Sequence, residues 1–218
     1  ATSPRPPASS FTPFAYATAF EKGFLPETVL FDVPTEFSNS CSGNSASCYN
    51  PDNFDNLFKG PISMRSALAE SRNVPAVKTL YLAGLDETLK TAKDMGIHSL
   101  GEAKTYGLTL VLGGGEVSLL DMTSAYGVFA NEGVRMQPTP VLTVTDKDGK
   151  IIEEYKEESV QVIPKNVALQ ISDVLSDNNA RIPTFGANSP LYFAGRDVAA
   201  KTGTTNDNRD AWVMGYTP

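Results

Sequence analysis

Hydrophobic and polar positions change their spacing several times along the chain. After Pro13, FAYATAFEKGF carries apolar residues at helical intervals and stops at Gly23, a residue suited to a helix end. Residues 24–60 lose that period. Pro, Asn, Ser and Asp dominate there, with short apolar breaks such as TVLFDV, and the stretch reads as a long excursion with little regular structure. Helical spacing returns in ISMRSALAESRNVPAVKTLYLAG, over 63–70 and 75–83, with SRN as the interruption and Pro75 opening the second helix. Ser71 and Asn73 then lie in an interhelical turn. LDETLKTAKDMGI predicts a further amphipathic helix ending at Gly96, and SLLDMTSAYGVFANEG another, with Leu119, Leu120, Tyr126 and Phe129 as core positions.

The period shortens after Gly133. PVLTVTDKDGKIIEEY reads as a hairpin turning at Asp148-Gly149, the helix VALQISDVLSD follows, and FAGRDVAAKTGTTNDNRDAWVMGYTP reads as two antiparallel strands joined by the polar turn NDNRD. The order is a helical part over about 9–132 and a hairpin-and-sheet part over about 133–218. It predicts a single α+β domain in which an antiparallel sheet packs against helices.

Composition narrows the function more than the fold. The 218 residues are 41% hydrophobic, ordinary for a globular protein, and the formal net charge of -7 with no cluster of Lys and Arg excludes a nucleic-acid binder or a polybasic membrane surface. No apolar run approaches the ~20 residues that span a bilayer. The two cysteines, Cys41 and Cys48, sit in the polar loop NSCSGNSASCYN and predict a disulfide, which places the chain in an oxidising, extracytoplasmic compartment. With His98 alone and distant, no metal site is expected. Gly113-Gly114-Gly115 lacks the Lys-Ser or Lys-Thr of a phosphate loop. Trp212 and Tyr216 read as packing residues, and Glu153, Glu154, Glu157 and Glu158 as a solvated face.

Candidate chemistry begins at ASSFTPF. Ser9 and Ser10 could cap the following helix or supply a nucleophile, since both roles call for a hydroxyl at a helix start. Two further triplets stand downstream: Ser71-Arg72-Asn73 between helices and Lys201-Thr202-Gly203 on a strand. In that order the three segments resemble the serine acyltransferases of the penicillin-binding protein and beta-lactamase superfamily. That superfamily carries Ser-x-x-Lys at the start of a central helix, Ser-x-Asn between two helices and Lys-Thr-Gly on a facing strand. The resemblance is closest to the transpeptidase domain of class A, bifunctional penicillin-binding proteins, through SSFTPFAYATAFEKG, SRNVPAV and KTGTTNDNRDAWVMGYTP, and it runs over essentially the whole chain.

The resemblance implies a beta-lactamase-like fold and peptidoglycan transpeptidation without a cofactor. Ser9 attacks the carbonyl of the penultimate D-Ala of a stem peptide, expels the terminal D-Ala and forms an acyl-enzyme that a neighbouring strand's amine resolves. The backbone N–H groups of Ser9 and Thr204 hold the oxyanion. Ser71 relays a proton, Asn73 binds the substrate amide, Thr202 and Thr204 hold its carboxylate beside Lys201, and Gly203 admits close approach of the substrate backbone. Beta-lactams are implied as covalent ligands of Ser9. The family's lysine, however, is Thr12 here, and a threonine hydroxyl cannot act as general base; its glycine before the serine is Ala8. Lys201 is the replacement base by position. Losing the like charge of a neighbouring lysine is expected to keep Lys201 protonated, which predicts an impaired enzyme.

The resemblance further implies an upstream glycosyltransferase domain, a membrane anchor, and sheet strands on both sides of this segment. The chain is therefore expected to be a fragment, truncated at both ends, with an unpaired strand edge. Two rival functions remain: a non-catalytic module that binds or scaffolds D-Ala-D-Ala ends, and, more distantly, a beta-lactamase, for which no deacylating carboxylate stands out.

Overall fold

The computed structural model describes residues 1–42 and 48–217. In chain order its elements are α1 (Thr12–Glu21), β1 (Val29–Asp32), β2 (Gly60–Ser63), α2 (Met64–Ala69), α3 (Asn73–Ala83), α4 (Leu85–Asp94), α5 (Ala103–Tyr106), α6 (Leu119–Ala130), β3 (Val134–Met136), β4 (Thr143–Thr145), β5 (Ile151–Glu154), β6 (Ser159–Gln161), α7 (Lys165–Ser176), α8 (Asn178–Phe185), β7 (Ala199–Thr204) and β8 (Ala211–Tyr216). Short 3-10 turns occupy Ala8–Phe11, Gly107–Leu112 and Asn206–Asn208.

Helix α1 is the axis of the core. Every residue from Thr12 to Phe20 is buried, as expected of a helix apolar on all sides, and α3, α4 and α7 pack around it. Phe14 meets Phe11, Tyr126 and Phe129 at centroid distances of 5.1, 5.9 and 5.7 Å. Thr18, a polar residue in this setting, donates to the Phe14 carbonyl at 2.9 Å and so leaves no orphaned proton. The helix ends where the sequence predicts. Gly23 takes φ +95, and its N–H and that of Phe24 reach back to the carbonyls of Phe20 and Ala19, closing a Schellman cap.

The strands form four antiparallel pairs among the described residues: β1–β2, β3–β6, β4–β5 and β7–β8. The β1–β2 pair corrects the reading of residues 24–60 as almost structureless, because VLFD pairs with GPIS across the excursion, Leu30 opposite Ile62. The β4–β5 hairpin forms around Gly149, at φ +81, but all its residues are exposed, so it stands apart from the core. In β7–β8, Lys201 faces Met214 and Gly203 faces Trp212, and the pair is backed by α6 and α7.

Two further expectations change. Leu119 and Leu120 are about half exposed while Tyr126 and Phe129 are buried, because the first turn of α6 overhangs the core that Met122, Ala125, Tyr126 and Phe129 enter. Asn73 begins α3, so only Glu70, Ser71 and Arg72 lie between the helices. Helix α8 escapes a sequence reading because Pro183 lies inside it.

Candidate active site

The two serines of ASSFTPF separate by environment. Ser10 is fully buried, its Oγ donates to the Pro7 carbonyl at 2.6 Å, and its own carbonyl accepts from Tyr126 Oη at 2.7 Å. It is a structural hydroxyl. Ser9 is partly exposed and its hydroxyl makes no hydrogen bond among the described residues, so it is free to react. Neither serine caps α1 through its side chain. Ala8 makes the turn at φ +50, in the left-handed region where glycine is the default. The turn is pressed between two glycines: a Cβ on Gly113 would stand 2.2 Å from the Ala8 nitrogen, and one on Gly203 would stand 2.4 Å from the Pro7 carbonyl oxygen. Gly203 thus makes room for the chain's own serine turn. Trp212 Nε1 donates to the Pro6 carbonyl at 2.9 Å and fastens the same segment to β8.

Facing this turn is a lysine with unusual surroundings. Lys201 is 3% exposed, and its Nζ donates to Ser71 Oγ at 2.7 Å and to the Thr202 carbonyl at 2.8 Å. Among the described residues no carboxylate lies within salt-bridge distance of it. Burial, and next the positive charge of Arg181, pull its pKa down to about 7. Burial therefore favours a neutral amine even without a like charge at position 12. Ser71 is the C′ residue of a Schellman cap on α2, with its N–H on the Leu68 carbonyl and the Arg72 N–H on the Ala67 carbonyl. It takes φ +59, where glycine would be cheaper, and its hydroxyl reaches Lys201 from there.

Between Ser71 and Asn73, Arg72 anchors the turn. Its Nε donates to Asp32 Oδ2 at 3.1 Å, its Nη1 to Asp55 Oδ2 at 2.7 Å, and its Nη2 to the Leu57 carbonyl. Asp32, fully buried, also accepts from Asn53 Nδ2 at 2.8 Å and from the Lys59 N–H at 3.2 Å. Asn53 in turn caps α3 from a distance, its Oδ1 accepting the N–H groups of Asn73 and Val74 at 2.8 and 3.3 Å. Sequence reading missed Asp32, Asn53 and Asp55, and the one available signal was an arginine inside the Ser-x-Asn triplet. Asn73 Nδ2 donates to the Asp52 carbonyl at 2.8 Å. That leaves its Oδ1 for a ligand.

On β7, Lys201 and Gly203 are buried, Gly203 against the serine turn, while Thr202 is half-buried and Thr204 exposed. Asn73 and Thr204 both line a cleft of about 740 Å³, with Tyr49 and Asp52 on one side and Gly113 and Gly114 on another. Thr12 is buried, and its Oγ1 donates to the Val111 carbonyl at 3.3 Å. Cys41 and Cys48 are joined in a disulfide that ties down the segment leading to Tyr49; residues 43–47 between them lie outside the described residues. Glu36 approaches both sulfurs, but bonded cysteines offer no thiolate to a metal.

Over residues 1–218 the chain matches the family described as the penicillin binding protein transpeptidase domain. Penicillin-binding protein 1A of Neisseria meningitidis is 32% identical over 219 residues, which cover 98% of this chain and 27% of the relative. That of Rickettsia bellii is 31% identical over 233 residues, covering 98% and 29%. The chain therefore spans less than a third of these relatives. Among solved structures, penicillin-binding protein 1A from Haemophilus influenzae superposes with a TM-score of 0.80 at 25% identity, over 98% of this chain and 36% of that one. PonA1 from Mycobacterium tuberculosis in complex with penicillin V superposes with a TM-score of 0.79 at 26% identity, over 100% and 58%. A serine turn at the head of a buried helix, faced by a Ser71–Lys201 pair, is thus part of a chain that belongs to the penicillin-binding protein transpeptidase domain family.

Proposed function

We propose that this chain is the D,D-transpeptidase domain of a peptidoglycan-synthesising, penicillin-binding protein, and that Lys201 acts through Ser71 in place of the base missing at position 12. The observation that carries the reading is the 2.7 Å contact between a buried Lys201 and Ser71 Oγ, with the amine held to a pKa of about 7. Near neutral pH a large fraction of that amine is neutral and has a lone pair for a proton.

The sequence of transfers balances. Ser9 Oγ bonds to the carbonyl carbon of the penultimate D-Ala while its proton passes to Ser71 Oγ and the Ser71 proton to Lys201 Nζ. The tetrahedral intermediate collapses by breaking the peptide C–N bond, and the departing D-Ala amine takes back a proton along the same route. An acceptor amine then attacks the Ser9 ester, forms the cross-link and returns the proton to Ser9. Backbone N–H groups of Ser9 and Thr204 are the oxyanion donors in this reading, Thr202 and Thr204 receive the terminal carboxylate, and Asn73 Oδ1 accepts from the substrate amide. A beta-lactam enters the same path and stops at the ester.

Thr12 lowers the rate rather than changing the reaction, because loss of a positioned base costs about 10²- to 10⁴-fold. The Cys41–Cys48 bond supports an extracytoplasmic location. An anchor and a glycosyltransferase domain elsewhere in a longer protein belong to the same proposal; among the described residues no helix is long and apolar enough to cross a membrane. A second reading, a non-catalytic binder of D-Ala-D-Ala ends, is favoured by one fact: the Thr12 hydroxyl is turned to the Val111 carbonyl.

Intact mass after incubation with a fluorescent penicillin separates the two. The parent is expected to gain one label that Ser9→Ala lacks, and Thr12→Lys to label faster. An unlabelled parent beside a labelled Thr12→Lys overturns the Lys201 route and leaves the binding module.

A further inference from the structure

Arg181 differs from the other deeply placed arginine. Arg72, 3% exposed, is matched by the carboxylates of Asp32 and Asp55. Arg181, 2% exposed on α8, has no carboxylate within 4.0 Å among the described residues. Only the carbonyls of Leu191, at 3.0 Å, and Leu175 receive its guanidinium protons. The carboxylate that acts on it electrostatically, Asp177, lies beyond 4.0 Å and is engaged by Arg65 and the Ala180 N–H, so this buried guanidinium has no ion pair of its own.

The space for a partner is present. Arg181 lines a cavity of about 250 Å³ whose lining also includes Arg196, Asp197, Asn178, Tyr192 and Phe193. Asn178 supplies a second anomaly: its Nδ2 donates to the Ala187 carbonyl at 3.2 Å, but its buried Oδ1 accepts from nothing. The lining therefore offers two cations for an anion, and an orphaned acceptor with one carboxylate for a donor.

We infer that this cavity is a binding site for a small free amino acid, its carboxylate on Arg181 and Arg196 and its ammonium on Asn178 Oδ1 and Asp197. A guanidinium binds a planar carboxylate through two parallel hydrogen bonds, and Asp197 disfavours a dianion such as phosphate or sulfate. The volume has room for a glycine- or alanine-sized molecule. Free D-alanine, released in the reaction proposed above, belongs to this class, although the site does not rest on that reading. Its position gives it a route to the catalytic pair, since Asp197 and Val198 lead directly into β7 and a carboxylate on Arg181 would cancel the positive charge that Arg181 projects onto Lys201.

The test is a nuclear magnetic resonance titration of the intact chain with glycine, D-alanine, acetate and glycinamide, following the Arg181 Nε–Hε and Val198 amide signals. Saturable shifts with glycine and D-alanine, at least tenfold weaker with acetate and with glycinamide, are expected. Arg181→Met should abolish them. Because that change also frees two buried carbonyls, Arg196→Ala, at an exposed side chain, is the second variant and should weaken binding at least fivefold with the fold intact. No saturable shift with any of the four, equal response to acetate and glycine, or an unaffected Arg196→Ala would each overturn the proposal.

Discussion

The serine turn and the Ser71–Lys201 side of the candidate site form two walls fastened by opposite means. The Ser9 wall is held by neutral groups: the aromatic cluster around Phe14, the Tyr126 hydroxyl on Ser10, the Trp212 indole on Pro6, and two glycines pressed against the turn. The Ser71 wall is held by charge, with Arg72 on Asp32 and Asp55, and Lys201 on Ser71. On the first wall position 12 is filled by an uncharged residue, Thr12, buried on α1 with its hydroxyl satisfied by Val111. On the second wall the side chains that hold the structure include the pair proposed to move the proton. The difference teaches that an uncharged residue at position 12 fits the neutral wall with its one polar group satisfied, whereas each charge of the other wall is held by a named partner.

The largest effect that could break this comparison is kinetic. Lys201→Met is expected to lower the rate of penicillin acylation by about 10²-fold or more, while Thr12→Ala should change it less than about threefold. Equal losses would show that both walls carry protons. The rate should also follow the state of Lys201. Its pKa is lowered to about 7 by burial first and by Arg181 second. Below that pH the amine is protonated and cannot accept from Ser71, so the rate should rise about tenfold per unit as pH increases toward 7 and level off above it. A flat profile across this range would remove Lys201 from the role. Stability has the matching sign: the unfolded chain binds the lysine proton more tightly, so the cost of burying Lys201 is full below about 7 and is recovered as pH rises toward its ordinary value of 10.5.

Next in size are losses of stability. Asp32→Ala leaves Arg72 buried with only Asp55, and Asn53 without its acceptor, and should cost about 3–5 kcal/mol in urea denaturation. Tyr126→Phe removes one neutral hydrogen bond from the other wall and should cost only about 1–1.5 kcal/mol. If Tyr126→Phe proves the costlier of the two, the division into charged and neutral walls is wrong. Cys41→Ser with Cys48→Ser falls between them, at about 2–3 kcal/mol for so short a loop.

How much of this was legible follows from where each signal is written. Helix α1, the hairpin at Gly149 and the β7–β8 pair are local patterns of period and turn residue, and the sequence shows them. The order of the three motifs brought Ser9, Ser71 and Lys201 to one family, and the structure brings Ser71 and Lys201 to 2.7 Å. Three things were hidden. Ser9 is singled out only through the family resemblance, and the physical reason that Ser10 is not free, capture of its hydroxyl by the Pro7 carbonyl, is a matter of turn geometry. The clamp of Arg72 joins residues 17 and 40 positions apart, with no period to announce it. The pKa of Lys201 depends on burial, which charge counting along a chain cannot register.

The smallest effect concerns the turn itself. Ala8 is held at φ +50, and an alanine in the left-handed region costs about 1–2 kcal/mol that glycine does not. Glycine would in turn loosen the unfolded chain by about 0.5–1 kcal/mol. The difference leaves Ala8→Gly more stable by roughly 0.5–1 kcal/mol, seen as a rise in Tm of about 1–4 °C. The gain should come without any change in acylation rate, since the neutral wall positions Ser9 through the Ser10 carbonyl and the Gly113 and Gly203 contacts, all of which remain. A faster Ala8→Gly enzyme would mean that strain at Ala8 displaces the nucleophile, so that the neutral wall limits chemistry as well as holding shape. A less stable one would mean that the Ala8 methyl, buried beside Gly113, contributes more through packing than its backbone loses through strain.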